Sequence, residues 1–282
     1  MEENVAMLSN YEFNLSDFAL FLSVMKNPRA YRNVLSIFLE EPDIELTEVK
    51  VEQVVLNKSG KRAIRLDAWA KSTDDRRFNM EMQNDTSKDD VRKRSRYYQG
   101  LLDSPILKSG KETRYKYLPS TVIIFITQED IFGMDRAQYT FSEQCEEISG
   151  LKLDDGTKKI FFNLTSKNGS QELISLLQYI KRTDIQNPDI TVKDERILEL
   201  DDIVQEVKAS EEWEAVKMSI LEIGIEKGTE IGIQRGLQQG LQQKLREQVE
   251  KKLKKGLSVV EIADMLEEDE AVIEQIVKEI RE

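Results

Sequence analysis

The N-terminal part of the chain shows apolar residues at helical spacing. Phe18, Leu20, Phe21 and Val24 recur on one side of a short helix that Ser16 is placed to cap. The pair Asn27-Pro28 then predicts the start of a second helix, with asparagine at the N-cap and proline in the first turn. This second helix directs Tyr31, Val34, Leu35 and Phe38 toward a core.

The pattern then changes to strict alternation of apolar and polar residues. Three segments alternate in this way, at residues 46–57, 62–71 and 76–84. Turn-forming residues separate them, at 57–60 and at 72–75. Three alternating runs joined by short turns predict a three-stranded antiparallel meander.

Helices and strands alternate in the segment that follows. A long helix is predicted over residues 87–107, with Tyr97, Tyr98, Leu101 and Leu102 on its apolar side, where the two tyrosines are expected in the core rather than stacked on bases. Residues 119–127 form a continuous apolar run, typical of a strand that is covered on both faces. Two more strands near 137–142 and 158–164 and a helix at 170–182 complete an α/β core with a mixed sheet flanked by helices.

The C-terminal part of the chain predicts a helical tail. Glycine recurs every four residues in a helix that begins near Glu211, at Gly224, Gly228, Gly232, Gly236 and Gly240. Because each interior glycine costs a helix about 1 kcal/mol relative to alanine, the stripe suggests close approach of another helix. Gly256 ends this helix, and Ser258 with Glu261 forms a capping box for the first of two short helices, 259–267 and 269–281. We therefore divide the chain into a core domain (1–183), an acidic connector (184–210) and a helical region (211–282) that associates into a small homo-oligomer.

Composition excludes several chemistries. The chain of 282 residues has no histidine and one cysteine, so a Ser-His-Asp triad, imidazole ligands and a cysteine-rich zinc site are excluded. A bound metal would then be Mg²⁺ or Mn²⁺ on oxygen ligands. The chain shows neither a signal peptide nor an apolar run of membrane-spanning length, so we expect a cytoplasmic protein without a membrane partner.

The net charge of −12 is unevenly distributed. Residues 86–117 are predominantly basic, whereas residues 184–227 are strongly acidic. A local basic segment suits a phosphate backbone, although a solvated helix face explains it as well.

The second hairpin of the meander holds the candidate chemistry. If the turn is centred on Asp74, paired residue numbers sum to 148, and Asp67 lies opposite Glu81 with Gln83 on the same face. Directly opposed carboxylates destabilise a sheet unless a cation lies between them. The alternative is an ordinary polar sheet face on which Arg65 neutralises one acid.

Several motifs in this order resemble the recombination-promoting nuclease (Rpn) family of transposases, within the PD-(D/E)XK nuclease superfamily. The matching motifs are Asp17-Phe18-Ala19, Leu66-Asp67-Ala68, Asn79-Met80-Glu81-Met82-Gln83, Arg94-Ser95-Arg96-Tyr97-Tyr98, the strand at 119–126 and Ile131-Phe132. The resemblance covers residues 15–182 and, more loosely, the glycine-rich tail. It implies a restriction-endonuclease-like α/β core and a metal-dependent DNA endonuclease linked to recombination and transposition.

The resemblance also implies roles for individual residues. Asp67 and Glu81 would bind Mg²⁺ or Mn²⁺, and Gln83 would replace the usual lysine and orient the attacking water without acting as a base. Basic residues on the following helix would contact the DNA backbone: Arg92, Lys93, Arg94 and Arg96.

Because Gln83 departs from the family pattern, a catalytically weakened DNA-binding or assembly protein is the alternative function. A scaffold that acts through the C-terminal helices is a third. The last helix is too acidic to read DNA, so protein contact is favoured there.

Overall fold

The computed structural model describes residues 11–55, 64–87, 89–104, 106 and 114–281. The turn predicted at 57–60 and part of the basic segment 86–117 lie outside these residues. The chain divides into two compact units, of which the first runs to Val216 and the second begins at Lys217. No helix among the described residues has the length and apolar character needed to cross a membrane.

Helices and strands alternate along the first unit much as the hydrophobic pattern predicts. The helices are α1 (Phe18–Met25), α2 (Pro28–Phe38), α3 (Val91–Asp103), α4 (Gln171–Lys181), α5 (Glu195–Lys208) and α6 (Glu211–Leu253), which continues into the second unit. The strands are β1 (Leu46–Val55), β2 (Ile64–Ser72), β3 (Arg77–Gln83), β4 (Thr121–Thr127), β5 (Gln138–Phe141) and β6 (Thr157–Asn163).

The strands form one mixed sheet in the order β1-β2-β3-β4-β6-β5. β1, β2 and β3 are successive antiparallel neighbours, which confirms the predicted meander. β4 lies parallel to both β3 and β6, and β5 pairs antiparallel with β6. The fold is therefore the expected α/β core with a mixed sheet flanked by helices.

The two faces of the sheet are covered by different helices. Phe162 of β6 stacks on Phe38 of α2, with ring centroids 3.8 Å apart. The preceding residue, Phe161, points to the opposite face and belongs to a cluster with Phe125 of β4 and Tyr98 of α3. Every residue of β4 is buried, as expected for a strand that is covered on both faces.

The helix starts at the N-terminus follow the capping rules only in part. Asn27 caps α2 by accepting a hydrogen bond from the Arg29 backbone N–H, with Pro28 in the first turn, as predicted. The prediction that Ser16 caps α1 is wrong, because Asp17 occupies the N-cap position. Ser16 instead donates its backbone N–H to the Ile180 carbonyl, which links the segment before α1 to α4.

Helix α3 is shorter than the predicted span of 87–107. Asp90 accepts hydrogen bonds from two backbone N–H groups of the first turn, so the helix begins at Val91. Tyr98 is buried as predicted. The core prediction for Tyr97 is wrong, since 39% of its surface is exposed.

The acidic segment 184–210 contains a helix that packs within the first unit. The apolar side of α5 is buried, through Ile197, Leu200, Ile203 and Val204. One of its acids, Glu199, accepts a 2.7 Å hydrogen bond from the Asn33 amide of α2. Three acids of this helix, Glu195, Asp202 and Glu206, are exposed to solvent.

The second unit is a small cluster of helices. The end of α6, α7 (Val259–Leu266) and α8 (Glu270–Arg281) share a core built around Val249, Ile262, Ala263, Ile273 and Val277. The predicted capping box is present, since the side chains of Ser258 and Glu261 each accept a backbone N–H of the other residue.

Candidate functional site

The hairpin of β2 and β3 brings Asp67 and Glu81 together. Ala68 pairs with Met80, the register in which paired residue numbers sum to 148 as predicted. Beyond this pair the carboxylates link the two strands. The Asp67 backbone N–H donates to Glu81 Oε1 at 3.0 Å, and the Met82 backbone N–H donates to Asp67 Oδ2 at 3.1 Å. Each acid is thus fixed in place by the backbone of the opposite strand.

Both acids are removed from solvent. Asp67 is 9% exposed and Glu81 is 3% exposed. The pKa of Glu81 is raised to about 8, mainly by burial and then by the nearby charge of Asp67. Burial likewise raises the pKa of Asp67 to about 6, although the Met82 N–H and Arg94 oppose the shift. Two full negative charges at this position therefore need a cation.

Asn79 adds a buried amide beside the pair. It is fully buried, and its Nδ2 donates a 2.9 Å hydrogen bond to Glu81 Oε1. Its Oδ1 is buried without a hydrogen-bond partner among the described residues. An unsatisfied buried oxygen is costly in a native protein, so this atom marks a position where a donor or a cation would be stabilised.

Tyr31 of α2 reaches the same hairpin. Its hydroxyl lies 3.4 Å from the backbone carbonyl oxygens of both Ala68 and Phe78. Burial, followed by the charge of Glu81, holds the Tyr31 pKa far above its usual range, so this phenol stays protonated. The backbone of the hairpin therefore contacts a neutral, fully buried side chain.

Gln83 lies at the end of β3 with its amide engaged on both sides. Its Nε2 donates to the backbone carbonyl of Asp85, and its Oε1 accepts from Nη2 of Arg94. The Arg94 guanidinium also lies over two aromatic rings, 5.1 Å from the Phe125 centroid and 5.9 Å from that of Tyr98. Gln83 thus holds Arg94 next to the carboxylates, and the charge of Arg94 lowers the pKa of both acids.

The four basic residues expected to contact DNA have different surroundings. Arg94 reaches Gln83, as described above. Arg92 forms a 3.2 Å ion pair with the N-cap residue Asp90. Lys93 and Arg96 are exposed on the surface of α3. Among the contacts of the described residues, Arg94 is therefore the basic residue of this set that reaches the candidate site.

The donor set suits a hard divalent ion. Carboxylate oxygens and an amide oxygen are the ligands that Mg²⁺ and Mn²⁺ prefer. The hydrogen bonds described above involve one oxygen of each carboxylate, which is Oε1 in Glu81 and Oδ2 in Asp67. No group of three or more acids or cysteines with metal-binding geometry occurs in the described part of the chain. Mg²⁺ usually keeps several waters and takes one or two protein carboxylates, so two acids are a sufficient set.

The sequence motifs include Asn79 and Arg94, but the contacts that each residue makes at this site were not predicted. Asn79 shares the polar face of β3 with Glu81, and this alternation was the available signal for its place beside the acid. The contact between Arg94 and Gln83 joins a helix to a strand, and no local pattern predicts it. A buried acid pair with a fixed guanidinium nearby is able to bind a metal ion and a phosphate together.

Comparison with known protein families gives one match that covers most of the chain. A family model described as PD-(D/E)XK nuclease family transposase matches residues 17–223. The match runs from the start of α1 into the first turns of α6 and confirms the resemblance drawn from the motifs. No curated protein and no solved structure gives a significant match.

Proposed function

The chain belongs to the PD-(D/E)XK nuclease family of transposases, and from this premise we propose that it is a metal-dependent DNA endonuclease whose metal ligands are Asp67 and Glu81. One observation supports this proposal above the others. Two buried carboxylates face each other, each fixed by the backbone of the opposite strand, with raised pKa values that a bound cation would bring down. A structural ion pair would need a partner of opposite charge in direct contact with each acid.

A Mg²⁺ or Mn²⁺ ion bound there would lower the pKa of a coordinated water and neutralise charge on the scissile phosphate. The residues of the chain supply the rest. Asp67 and Glu81 hold the ion, and Asn79 fixes the Glu81 carboxylate through its 2.9 Å hydrogen bond. The expected products are a 5′-phosphate and a 3′-hydroxyl.

Arg94 supplies the positive charge that a lysine usually provides at the position of Gln83. Gln83 is neutral, so it cannot attract an anionic phosphate, but it binds the guanidinium that can. Arg94 lies over the aromatic rings of Phe125 and Tyr98, so its charge has a fixed position. We assign Gln83 to positioning this charge and, through its remaining hydrogen-bonding capacity, to orienting water.

The test is a cleavage assay on purified full-length protein with plasmid and oligonucleotide DNA. Cutting should require Mg²⁺ or Mn²⁺ and stop in EDTA. Asp67→Asn keeps an acceptor for the Met82 N–H but removes the charge, so it should abolish cutting. Asp43→Asn, at an exposed acid before β1, is the matched control and should cut normally. Cutting that persists in Asp67→Asn or in EDTA would contradict the assignment.

A DNA-binding measurement made alongside the cleavage assay separates the second candidate function, a weakened nuclease that binds or assembles on DNA. The observation that favours this alternative is the engaged amide of Gln83, which accepts from Arg94 and donates to Asp85. DNA binding without cleavage at any metal concentration would favour it over the endonuclease.

We also propose that the C-terminal helices join two or more copies of this chain. Ile233, Leu237 and Leu241 of α6 are all exposed, and Gly236 and Gly240 have open space around them. An apolar row beside small residues lets a second helix approach closely. Leu237→Lys with Leu241→Lys should lower the mass measured by sedimentation, and an unchanged mass would contradict the association. The cytoplasmic location stays a prediction.

A further inference from the structure

A groove lies between the start of β2 and helix α3. Its volume is about 490 Å³. The residues that line it are Ile64, Arg65, Asp89, Lys93, Arg94, Tyr97 and Tyr98. Arg94 belongs both to this groove and to the candidate site, because its guanidinium binds Gln83. Arg94 therefore connects the groove to the candidate site.

The charge of the groove is predominantly positive. Three of its lining residues are cationic, against one acid, Asp89. The side chain of Lys93 is 78% exposed and lies 3.9 Å from Asp90, and that of Arg65 is 60% exposed and lies 3.4 Å from Glu52. Two cations at the rim with a third, Arg94, at the inner end suit a ligand with more than one phosphate along its length.

The aromatic residues of the groove differ in exposure. Tyr98 is 8% exposed and packs in the core beneath Arg94, whereas Tyr97 is 39% exposed. An aromatic ring beside backbone-binding cations is the combination by which proteins bind single-stranded nucleic acid, through stacking of a base on the ring. In a duplex the faces of the bases are covered by their neighbours, so such a ring would gain nothing from paired DNA.

We propose that this groove binds one unpaired nucleotide adjacent to the scissile phosphate, with its base on Tyr97 and its phosphates near Lys93 and Arg65. The preferred substrate is then single-stranded DNA or an unpaired end or flap. A volume of about 490 Å³ falls in the range of small-molecule sites, which suits one nucleotide and not a double helix. The inference names the substrate class of the endonuclease proposed above, and so rests on that function.

The test is DNA binding by the full-length protein in EDTA, where no cleavage occurs. Fluorescence anisotropy compares a labelled single strand of about 12 nucleotides with the matched duplex. Wild type should bind the single strand more tightly than the duplex. Tyr97→Ala should weaken single-strand binding about tenfold, which is the usual effect of losing one stacked base. Tyr97→Phe keeps the ring and should bind within about twofold of wild type.

Two more variants make the result specific to the groove. Lys93→Gln should weaken single-strand binding and lower its salt dependence by about one phosphate contact. Tyr115→Ala is the matched control, since Tyr115 is a highly exposed tyrosine that does not line the groove. Far-ultraviolet circular dichroism of every variant checks that the fold is retained.

The outcomes distinguish this inference from the proposed function. Equal binding of single strand and duplex, or equal loss in Tyr97→Ala and Tyr115→Ala, would overturn the inference. Metal-dependent cutting that needs Asp67 but is indifferent to Tyr97 would overturn it and leave the endonuclease intact. Single-strand binding that needs Tyr97, without cutting in any metal, would support the groove and contradict the endonuclease.

Discussion

Replacing Glu81 by glutamine should make the metal-free protein more stable at neutral pH. The wild-type carboxyl is buried beside Asp67, and its pKa is raised from 4.5 to about 8. Glutamine has the same shape and keeps an Oε1 to accept from the Asp67 N–H and from Asn79. The substitution therefore removes the buried carboxylate charge and preserves the hydrogen bonds.

The sign and size follow from proton linkage. Below pH 4.5 both the folded and the unfolded carboxyl are protonated, so Glu81 has no effect on stability. As pH rises from 4.5 to about 8, the unfolded state loses its proton first, and the fold loses about 1.4 kcal/mol per pH unit. At pH 7 this gives a ceiling of about 3 kcal/mol, and a gain on the order of 2 kcal/mol is expected for Glu81→Gln.

The assay is urea unfolding in EDTA across pH 4 to about 8.5, followed by tryptophan fluorescence. Both tryptophans, Trp69 and Trp213, are buried in the first unit and report its unfolding. The advantage of Glu81→Gln should be near zero at the acid end and grow to a maximum near pH 8. Glu206→Gln, at an exposed acid of α5, is the matched control and should follow wild type.

Metal ions should reverse the order of stability of wild type and Glu81→Gln. Mg²⁺ or Mn²⁺ binds only the folded wild-type pair, so it should stabilise wild type and leave Glu81→Gln unaffected. A variant that is equally stable or less stable than wild type in EDTA at pH 7, or a difference that does not change with pH, would refute the reasoning about the buried charge.

Three more predictions test neighbouring parts of the structure. Arg94→Gln should lower the cleavage rate at saturating metal at least tenfold while Arg94→Lys retains part of it; equal rates for the two variants would argue against a role of the charge. Tyr31→Phe should lower the free energy of unfolding by up to about 1 kcal/mol in urea titrations, because one O–H proton shared between two carbonyls at 3.4 Å is lost; a much larger loss would contradict this weak hydrogen bonding. Ser258→Ala should destabilise the second unit by about 1 kcal/mol, seen as faster hydrogen exchange in α7; unchanged exchange would contradict the capping role.

The register of the central hairpin was predictable because two independent patterns agree. Alternation predicts that both segments are strands, and the short turn at 72–75 fixes the pairing from Ala68–Met80 to Lys71–Arg77, although Leu66 and Trp69 pack in one cluster and so depart from strict alternation. Together they leave one arrangement in which Asp67 and Glu81 are opposed. The covered strand β4 was predictable for a similar reason, since a continuous apolar run has no polar face to expose.

Features that depend on how helices pack against the sheet were not predictable. The position of Arg94 follows from the docking of α3 over Phe125, which no local spacing encodes. The exposure of Tyr97 has the same origin, since its neighbour Tyr98 takes the core position. The acidic segment 184–210 contains four buried apolar residues at helical spacing, but its high charge is also typical of an exposed connector, so the packed helix was not predicted.

A crystal structure with Mn²⁺ tests the central claim most directly, through the anomalous scattering of the ion. The account predicts an anomalous peak within coordination distance of both the Asp67 and Glu81 carboxylates, and no such peak in Asp67→Asn. A peak elsewhere in a protein that cuts DNA, with none at this pair under saturating Mn²⁺, would contradict the account.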